Sequence, residues 1–403
     1  MCRICGGDVR EFFDFGRQPL SDTFPTEEEL EHEFFFRLAV GVCESCTMAQ
    51  LLEEVPRDLM FHHTYPYRSA SSARMREHFA RTAHTLLDTE LTGKNSFCVE
   101  IGSNDGIMLN VIKNAGVRHL GVEPSGDVAD LARAAGVRVR TDFFEELTAI
   151  EIAAAEGPAA VIYAANTICH IPYLDSVFRG VDALLTPCGV FVFEDPYLGD
   201  IVERNTFDQI YDEHFYLFSA RSVRAAARRF GFELVDVERL PVHGGEVRYT
   251  IARSGARRPS PAVDALITEE VDRALGEFGT LEKLGGEVER VCADLVALLR
   301  NLREQGCRVA GYGATAKSAT VTNYAGIDAE LVPCVYDTTP AKIGRLMPGS
   351  HIPIRPATEF AQPYPDYALL FAWNHAEEIL AREKEFTAQG GRWIVYVPEV
   401  RIL

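Results

Sequence analysis

Short, nearly continuous apolar runs alternate with amphipathic stretches along the middle of the chain. Such runs are expected of strands buried on both faces of a parallel sheet, and the amphipathic stretches suit helices. The pattern therefore predicts an α/β domain over residues 71–255, which begins with a helix near 72–91. Its predicted strands are FCVEIG (97–102), HLGVEP (119–124), VRVRTDF (137–143), AAVIYAAN (159–166), GVFVFEDP (189–196), FELVDVERL (232–240) and VRYTIARS (247–254).

A polar stretch, ARSGARRPSPAVD, marks a boundary near residue 255. A long helical region follows over about 262–305, and residues 256–403 form a second, smaller α/β domain. Its predicted strands are RVAGYG (308–313), AELVPCVYD (329–337), YALLFAWN (367–374) and RWIVYVPEV (392–400). Residues 1–70 are short and irregular, with few candidates for a core of their own, and we expect a small separate module there.

The composition narrows the functional class. The 403 residues carry a net charge of −19, which gives no electrostatic reason to bind nucleic acid or an anionic membrane. No signal peptide is visible, and no apolar run approaches the ~18–20 residues that span a bilayer. Ten cysteines occur, four of them in two close pairs and six scattered singly, which is not a secreted disulfide framework. A reducing cytoplasm is the expected location.

The two cysteine pairs predict a metal site. Cys2-x-x-Cys5 and Cys43-x-x-Cys46 each form a knuckle that directs two sulfurs at one ion, and two knuckles complete a tetrahedron. Thiolates favour Zn²⁺, and four protein ligands leave no open position, so the zinc is expected to be structural. A redox dithiol pair and a zinc-ribbon module for nucleic acid are the alternatives. The acidic EEELEHEFFF segment between the pairs (27–36) would repel phosphate.

The first predicted strand ends in a loop that is typical of S-adenosylmethionine (SAM) binding. In EIGSNDG (100–106), Gly102 lets the backbone turn sharply, and Asp105 lies where the next helix begins. Glu100 precedes the turn, and Asn104 and Gly106 complete it. The pattern differs from the dinucleotide fingerprint because a sulfonium cofactor carries a cationic amino acid part, which carboxylates favour.

Two further strand ends complete the predicted cofactor site. The second strand ends in Glu123-Pro124, where a carboxylate can accept hydrogen bonds from a ribose diol. Asp142 and Phe143 follow the third strand and are expected to contact the exocyclic amine and the ring face of adenine. Asn166 follows the fourth strand, next to the expected position of the methyl donor. Each feature alone also suits a helix cap or a core residue, but their order favours SAM.

A second loop predicts an anion site in the C-terminal domain. In GYGATAKS (311–318), Gly313 and Thr315 belong to a run of small residues that exposes backbone amides, and Lys317 adds a positive charge for a diphosphate. A plain strand-to-helix turn is the alternative, and the absence of a complete GxGxxG argues against NAD. Asn374 and His375 occupy an equivalent strand end and are candidate nucleotide contacts.

Several strings resemble one known family over nearly the whole chain. The CxxC…CxxC start, EIGSNDG, NTICHIPY, YDEHFYLFS, HGGEVR and GYGATAKS are similar to the sugar C-methyltransferases of antibiotic biosynthesis. Within that family the chain resembles the TDP-sugar C-3′-methyltransferases of tetronitrose biosynthesis. The resemblance implies a Rossmann-like SAM-dependent domain, a TDP-linked 3-amino-4-keto-2,3,6-trideoxyhexose as substrate, and a monomer. One departure is Glu246, since family members often have a small polar residue after HGG.

Carbon methylation of a ketosugar requires a base, because the carbon next to the ketone must lose a proton to form an enolate. By resemblance, His214 is this base, Tyr211 is its neighbour in the site, and Glu213 accepts hydrogen bonds from sugar or cofactor groups. His170, in the loop after the fourth strand, is the rival base. The resemblance also implies that the Tyr65 hydroxyl reaches the sugar.

Some alternatives stay open at this stage. Tyr67 is a further candidate substrate contact, although interdomain packing would equally explain the TYPY segment. Methylation at C-5, or of a ketosugar without the amino group, would use the same motifs. From other classes, the chain could be a zinc-ribbon scaffold that retains a SAM fold, or a nucleotide-sugar epimerase or dehydrogenase that binds NAD at the GYGA loop.

Overall fold

The computed structural model describes residues 1–61 and 65–403, and within them seventeen strands form three sheets. The strands are β1 (Val9–Pro19), β2 (Phe35–Cys43), β3 (Ala49–Leu51), β4 (Phe97–Ile101), β5 (Arg118–Val122), β6 (Val139–Arg140), β7 (Ala159–Ala165), β8 (Leu185–Pro196), β9 (Tyr216–Leu217), β10 (Phe232–Leu240), β11 (Glu246–Arg253), β12 (Val309–Tyr312), β13 (Val335–Asp337), β14 (Ile354–Pro356), β15 (Tyr367–Leu370), β16 (Arg392–Val395) and β17 (Arg401–Ile402).

Helices cover the two larger sheets. They are α1 (Arg57–Met60), α2 (Ala73–Thr89), α3 (Ile107–Asn114), α4 (Gly126–Ala134), α5 (Glu146–Glu156), α6 (Leu174–Leu184), α7 (Leu198–Arg204), α8 (Ala220–Arg229), α9 (Pro261–Asp272), α10 (Phe278–Glu304), α11 (Ala316–Ala325), α12 (Ala376–Arg382) and α13 (Lys384–Ala388). Short 3₁₀ helices span Glu27–His32, Ser69–Ser71, Ile168–His170, Phe207–Gln209, Ala357–Glu359 and Trp373–His375. Among the described residues, no helix is both long and apolar enough to cross a membrane.

The central sheet has seven strands in the order β10-β11-β8-β7-β4-β5-β6. Strands β4 to β8 are parallel, and β11 is antiparallel to both β8 and β10. The first strand, β4, lies between β5 and β7, so the chain reverses its winding direction at the carboxyl end of β4. Crevices at such a point bind ligands in open α/β sheets. The predicted Rossmann-like α/β class is thereby confirmed.

The C-terminal sheet has six strands in the order β14-β13-β12-β15-β16-β17, of which only β17 is antiparallel to its neighbour. Its first strand, β12, lies between β13 and β15 and creates a second crevice. The long helical region predicted before this sheet is divided into α9 and α10. Left-handed backbone at Ala274 (φ 51°) and Gly276 (φ 83°) interrupts the helix.

The N-terminal segment is more ordered than the sequence pattern predicts. Our expectation of an irregular segment is wrong, because β1, β2, β3 and the distant β9 form a four-stranded antiparallel sheet. The apolar residues of this sheet pack against α10 and α11 and share the main core. Buried members include Phe12, Phe15, Phe36, Leu38, Val40 and Val42. The core is therefore shared between segments, which a scan of residues 1–70 alone does not reveal.

The N-terminal and C-terminal parts also contact each other directly. Glu33, in the acidic segment between the cysteine pairs, accepts a hydrogen bond from the Gly349 amide at 2.7 Å and lies 2.7 Å from His351 Nε2. Arg345 donates to the Phe24 carbonyl at 2.8 Å. The acidic segment thus serves as a docking surface between parts of the same chain.

Candidate active site

The four predicted zinc ligands converge in the structure. The Sγ atoms of Cys2 and Cys46 lie 3.6 Å apart, those of Cys5 and Cys43 lie 3.4 Å apart, and all four lie within 4.8 Å of one another. A tetrahedral ion with Zn–S bonds of about 2.3 Å requires sulfurs separated by about 3.8 Å. The cluster therefore fits one Zn²⁺. None of these four cysteines lines the cavity described below, which agrees with a structural metal.

The loop after β4 has the sharp turn that the sequence predicts. Gly102, Asn104 and Gly106 all have left-handed backbone, with φ of 67°, 47° and 75°. A Cβ at Gly102 would lie 2.3 Å from Thr167 Oγ1, in the loop after β7. Glycine therefore allows the loops after β4 and β7 to meet at the crevice.

Two carboxylates, Glu123 and Asp105, accept backbone hydrogen bonds at this turn. Glu123 accepts hydrogen bonds from the Asn104 amide at 2.9 Å and from the Ser125 amide at 2.8 Å, and it reaches the cavity. Asp105 accepts from the Ala70 amide at 2.9 Å, and its second oxygen, Oδ1, is buried without a partner among the described residues. Burial raises the pKa of both carboxyls.

The structure brings only some of the predicted cofactor residues to the cavity. Gly102, Asn104, Glu123, Pro124, Phe143 and Asn166 line it, whereas Glu100, Asp105, Gly106 and Asp142 do not. Glu100 is 3% exposed behind the turn, and burial holds its pKa well above the usual range. Asp142 accepts from Arg140 Nε at 2.7 Å outside the cavity lining. The short β6 ends at Arg140, so Asp142 does not extend a strand toward the crevice as expected.

The segment before α2 covers the cofactor loop. The Ser69 amide donates to Asn104 Oδ1 at 3.1 Å, and Asn104 Nδ2 donates to the Tyr67 carbonyl at 3.2 Å. The Tyr65 amide donates to Asp127 Oδ1 at 3.2 Å. These bonds hold Tyr65 and Tyr67 at the cavity wall.

His214 and Tyr211 form a hydrogen-bonded pair in the cavity. Tyr211 Oη lies 2.8 Å from His214 Nε2, and His214 Nδ1 lies 2.7 Å from the Gln209 carbonyl oxygen. Because a carbonyl only accepts, the proton of neutral His214 belongs on Nδ1, and Nε2 accepts from the tyrosine hydroxyl. Burial and the neighbouring His170 and Lys317 hold the pKa of His214 well below its usual range. The pair is therefore a neutral base with a phenol already bound to it.

The other predicted catalytic groups surround this pair. The Tyr65 hydroxyl donates to Glu213 Oε2 at 3.0 Å, and His170 Nδ1 lies 4.0 Å from the same oxygen. The His170 and His214 rings are 5.3 Å apart, and His170 Nε2 is buried without a partner among the described residues. Burial lowers the pKa of His170 to about 3, whereas burial with Asp22 and Asp212 nearby raises that of Glu213 well above its usual range.

The predicted anion loop opens into the same cavity. Thr315 caps α11 by accepting the Ser318 amide at 3.3 Å, and Lys317 in the first turn lines the cavity together with Thr315, Asn374 and His375. Gly313 (φ 87°) lies behind the wall, where a Cβ would meet Ala372 Cβ at 2.5 Å. Burial lowers the pKa of Lys317, and no carboxylate within the described residues lies within ion-pairing distance of its amine.

Three charged residues that line the cavity were not predicted from the sequence. Asp22 comes from the turn after β1, Arg57 from α1 and Lys342 from the loop after β13. Lys342 Nζ donates to the Ala314 carbonyl at 2.8 Å and lies 3.9 Å from Asp22. Arg57 lies 4.2 Å from the centroid of the Phe143 ring. None belongs to a recognisable motif, so only the tertiary fold identifies them.

Comparisons with known proteins agree with this geometry. Three family models match successive parts of the chain: a “Putative zinc binding domain” over residues 2–61, a “Methyltransferase domain” over 71–237 and a “C-methyltransferase C-terminal domain” over 241–398. A curated relative, the C-methyltransferase NovU of Streptomyces niveus, is 35% identical over 405 residues, which covers 100% of this chain and 96% of the relative.

Two solved methyltransferase structures each resemble less than half of the chain. A magnesium protoporphyrin IX methyltransferase from Synechocystis PCC 6803 with bound SAM matches with 10% identity and a TM-score of 0.34, covering 44% of this chain and 79% of that one. The CcbJ methyltransferase of Streptomyces caelestis matches with 14% identity and a TM-score of 0.34, covering 44% and 90%.

The fold and site define a SAM-dependent methyltransferase with a structural zinc module. The chain belongs to the C-methyltransferase family, since it matches a curated member at 35% identity over its full length. The predicted enzyme class and both predicted cofactors, SAM and Zn²⁺, are thereby confirmed.

Proposed function

We propose that the enzyme methylates C-3′ of a TDP-linked 3-amino-4-keto-2,3,6-trideoxyhexose in antibiotic deoxysugar biosynthesis. One observation carries the proposal: a single cavity contains the loop after β4, the His214–Tyr211 pair and Lys317 of α11. A base between a methyl-donor loop and a cationic small-residue loop suits an acidic carbon on a nucleotide-linked substrate. The family resemblance supplies the identity of the sugar and of the carbon.

The residues at the methyltransferase crevice suit SAM. Glu123 would accept from ribose hydroxyls with its free lone pairs, Phe143 would face the adenine, and Asn104 and Asn166 would offer side-chain amides. Gly102 lets the backbone approach closely. When bound, SAM supplies an electrophilic methyl group.

The proton at the reacting carbon passes to the His214–Tyr211 pair. His214 Nε2 already accepts the Tyr211 hydroxyl, so the carbon-bound proton reaches the imidazole either after the phenol swings away or through it. The depressed pKa of His214 keeps it unprotonated at neutral pH. The pKa of His170 is also lowered, to about 3, and this residue contributes ring contact with His214 and an Nε2 that is unpartnered among the described residues.

The remaining polar groups hold the sugar and its nucleotide. The Tyr65–Glu213 pair faces the sugar, where Glu213 accepts or donates according to its protonation. Tyr67, Asn374 and His375 line the path toward the C-terminal domain. Lys317 supplies the positive charge for the diphosphate, and Thr315 fixes the start of its helix.

We further infer three structural units, residues 1–70, 71–255 and 256–403, in an enzyme that acts as a cytoplasmic monomer. None of the ten cysteines forms a disulfide, which suits a reducing compartment. The boundary near 255 coincides with the exposed turn after β11, before α9 begins at Pro261.

The direct test is incubation of the purified protein with SAM and TDP-linked 4-ketosugars that carry or lack the 3-amino group. We expect mass spectrometry to show the gain of one CH₂ on the amino-ketosugar, and NMR to locate the methyl at C-3′. A methyl at C-5, or preference for the non-amino sugar, would correct the substrate. No gain with any ketosugar would overturn the proposal.

A further inference from the structure

A second group of metal-ligating side chains, separate from the four-cysteine cluster, lies beside the catalytic pair. The thiol of Cys169 and one ring nitrogen each of His170 and His214 lie within 4.8 Å of one another. Cys169 and His170 belong to the 3₁₀ helix that follows β7, whereas His214 lies just before β9. Both histidines line the cavity, and Cys169 is 0% exposed behind that wall. Two distant segments of the chain therefore bring three ligating groups together at the cavity wall.

Both histidines present a lone pair that a cation can use. His170 Nε2 is buried and has no hydrogen-bonding partner among the described residues, while His170 Nδ1 lies 4.0 Å from Glu213 Oε2. A proton on Nδ1, toward this acceptor, leaves the Nε2 lone pair free. His214 Nδ1 lies 2.7 Å from the Gln209 carbonyl oxygen, so its Nε2 carries the lone pair, which accepts the Tyr211 hydroxyl at 2.8 Å. A cation can replace the phenol proton at that nitrogen.

The chemistry of the three groups selects a transition-metal ion. Thiolate sulfur and imidazole nitrogen suit Zn²⁺, Co²⁺ and Cu²⁺, whereas Mg²⁺ and Ca²⁺ prefer oxygen ligands. Bonds of about 2.0–2.3 Å place the ligand atoms of a tetrahedral ion about 3.3–3.8 Å apart, so side-chain movements of about 1 Å close the site. Three protein ligands leave a fourth position open, unlike the closed four-cysteine site.

We propose that Cys169, His170 and His214 form a second metal site, at which Zn²⁺ or a related divalent transition-metal ion binds reversibly and inhibits the enzyme. Binding forms a sulfur–metal bond in place of the Cys169 S–H bond, and the thiol proton passes to solvent. The ion also takes the His214 Nε2 lone pair, which must receive the carbon-bound proton. The inhibition rests on the proposed role of His214 as the base, whereas the binding of the ion does not.

The binding test titrates Co²⁺, and separately Zn²⁺, into purified enzyme that already contains its structural zinc. Elemental mass spectrometry counts the ions per chain, and the Co²⁺ spectrum shows whether a thiolate is a ligand. We expect one ion per chain before titration and two after it, with a thiolate-to-cobalt absorption band from the second ion. The Zn²⁺ already present at the four cysteines should remain, which the same elemental analysis checks.

Cys169→Ser removes the thiolate but keeps a hydroxyl donor. It should weaken the second site at least about 100-fold, because even groups outside the ligand shell change metal affinity 10- to 100-fold. Cys169→Ala provides a second variant, and thermal unfolding identifies whichever of the two folds as the native protein does. Cys98→Ser is the matched control, since Cys98 is also 0% exposed but lies in β4, outside the cavity lining. The control should still take up the second ion.

Inhibition is measured on the same proteins as methylation of the ketosugar with and without added Zn²⁺. The native enzyme and Cys98→Ser should lose activity as the second site fills and regain it on dilution into metal-free buffer. Cys169→Ser should keep the native rate and resist the added ion, because Cys169 takes no part in the proton transfer.

Three results would overturn the inference. They are a single ion per chain in the native protein at saturating Co²⁺, a second ion that binds equally well to the folded Cys169 variants, and a rise in activity when the second ion binds. A native enzyme that binds the second ion through Cys169 but methylates no ketosugar would instead defeat the proposed function and leave the metal site standing.

Discussion

Two strand-to-helix loops with the same backbone plan carry opposite charges. The loop between β4 and α3 contains left-handed Gly102 and is flanked by Asp105 and Glu123. The loop between β12 and α11 contains left-handed Gly313 and is followed by Lys317. Both follow the first strand of a parallel sheet, at the point where the winding direction reverses.

In the proposed function, the loop shape provides the binding crevice and the charged side chains select the ligand. The negative charge of the first loop would favour SAM, which is a cation at its sulfonium, and the lysine of the second loop would favour a diphosphate. Asp337, the acid that corresponds in position to Glu123, accepts hydrogen bonds from the backbone amides of Ala314 and Thr339 at 2.7 and 2.6 Å. Glu123 accepts two backbone amides in the same way, so the charge difference between the two loops lies in Asp105 and Lys317.

The largest expected effect is on the cationic loop. Lys317→Ala should weaken binding of TDP-glucose about 10- to 100-fold, because a charge-assisted bond in a buried site is worth ~1.5–3 kcal/mol. SAM affinity should stay within about twofold. Calorimetric titration of both ligands measures this, with exposed Lys384→Ala as the control. Equal losses for the two ligands would mean that the loops do not discriminate by charge.

A smaller effect is expected on the acidic loop. Asp105→Asn keeps the acceptor for the Ala70 amide but removes the negative charge, so SAM should bind about tenfold more weakly. TDP-glucose should bind as before. The exposed Asp88→Asn in α2 provides the control, and an unchanged Kd for SAM in the Asp105 variant would exclude this charge from cofactor binding.

The smallest effect is an opposite pH dependence of the two affinities. Because their pKa values are raised, Asp105 and Glu123 take up protons at a higher pH than ordinary carboxyls do. SAM binding should therefore weaken as the pH falls. The lowered pKa of Lys317 means that its charge is complete at low pH and is lost as the pH rises, so TDP-glucose binding should weaken on the alkaline side. Each shift should be a few-fold, measured by titration between pH 5 and 9. Parallel pH profiles would contradict the comparison.

The sequence predicts those parts of the molecule whose chemistry depends on local spacing. Two CxxC pairs predict a tetrahedral metal site whatever path the chain between them takes, and the four sulfurs converge as expected. The glycine-containing loops follow buried parallel strands, so their place at the crevice follows from the apolar runs. All five predicted catalytic side chains line one cavity: His170 follows β7, Tyr65 precedes α2, and Tyr211, Glu213 and His214 lie between α7 and β9.

The rest depends on contacts between distant segments. Strand β9 pairs with β3, so a sheet that begins at residue 9 is completed at residue 217, and no pattern in residues 1–70 shows this partner. Asp22 and Lys342 meet in the cavity from opposite ends of the chain. Asp142 forms an ion pair with Arg140 and lies outside the cavity lining. Strand β6 is only two residues long, and its length depends on its pairing with β5 rather than on local apolar character.

The central claim is that the His214–Tyr211 pair removes the proton from the sugar carbon between the two loops. The most direct measurement is exchange of that carbon-bound hydrogen with deuterated solvent, followed by NMR with S-adenosylhomocysteine in place of SAM. We predict exchange by the native protein and by His170→Asn, and none by His214→Asn, with all three binding TDP-glucose equally well. Exchange that persists in His214→Asn and disappears in His170→Asn would contradict the account.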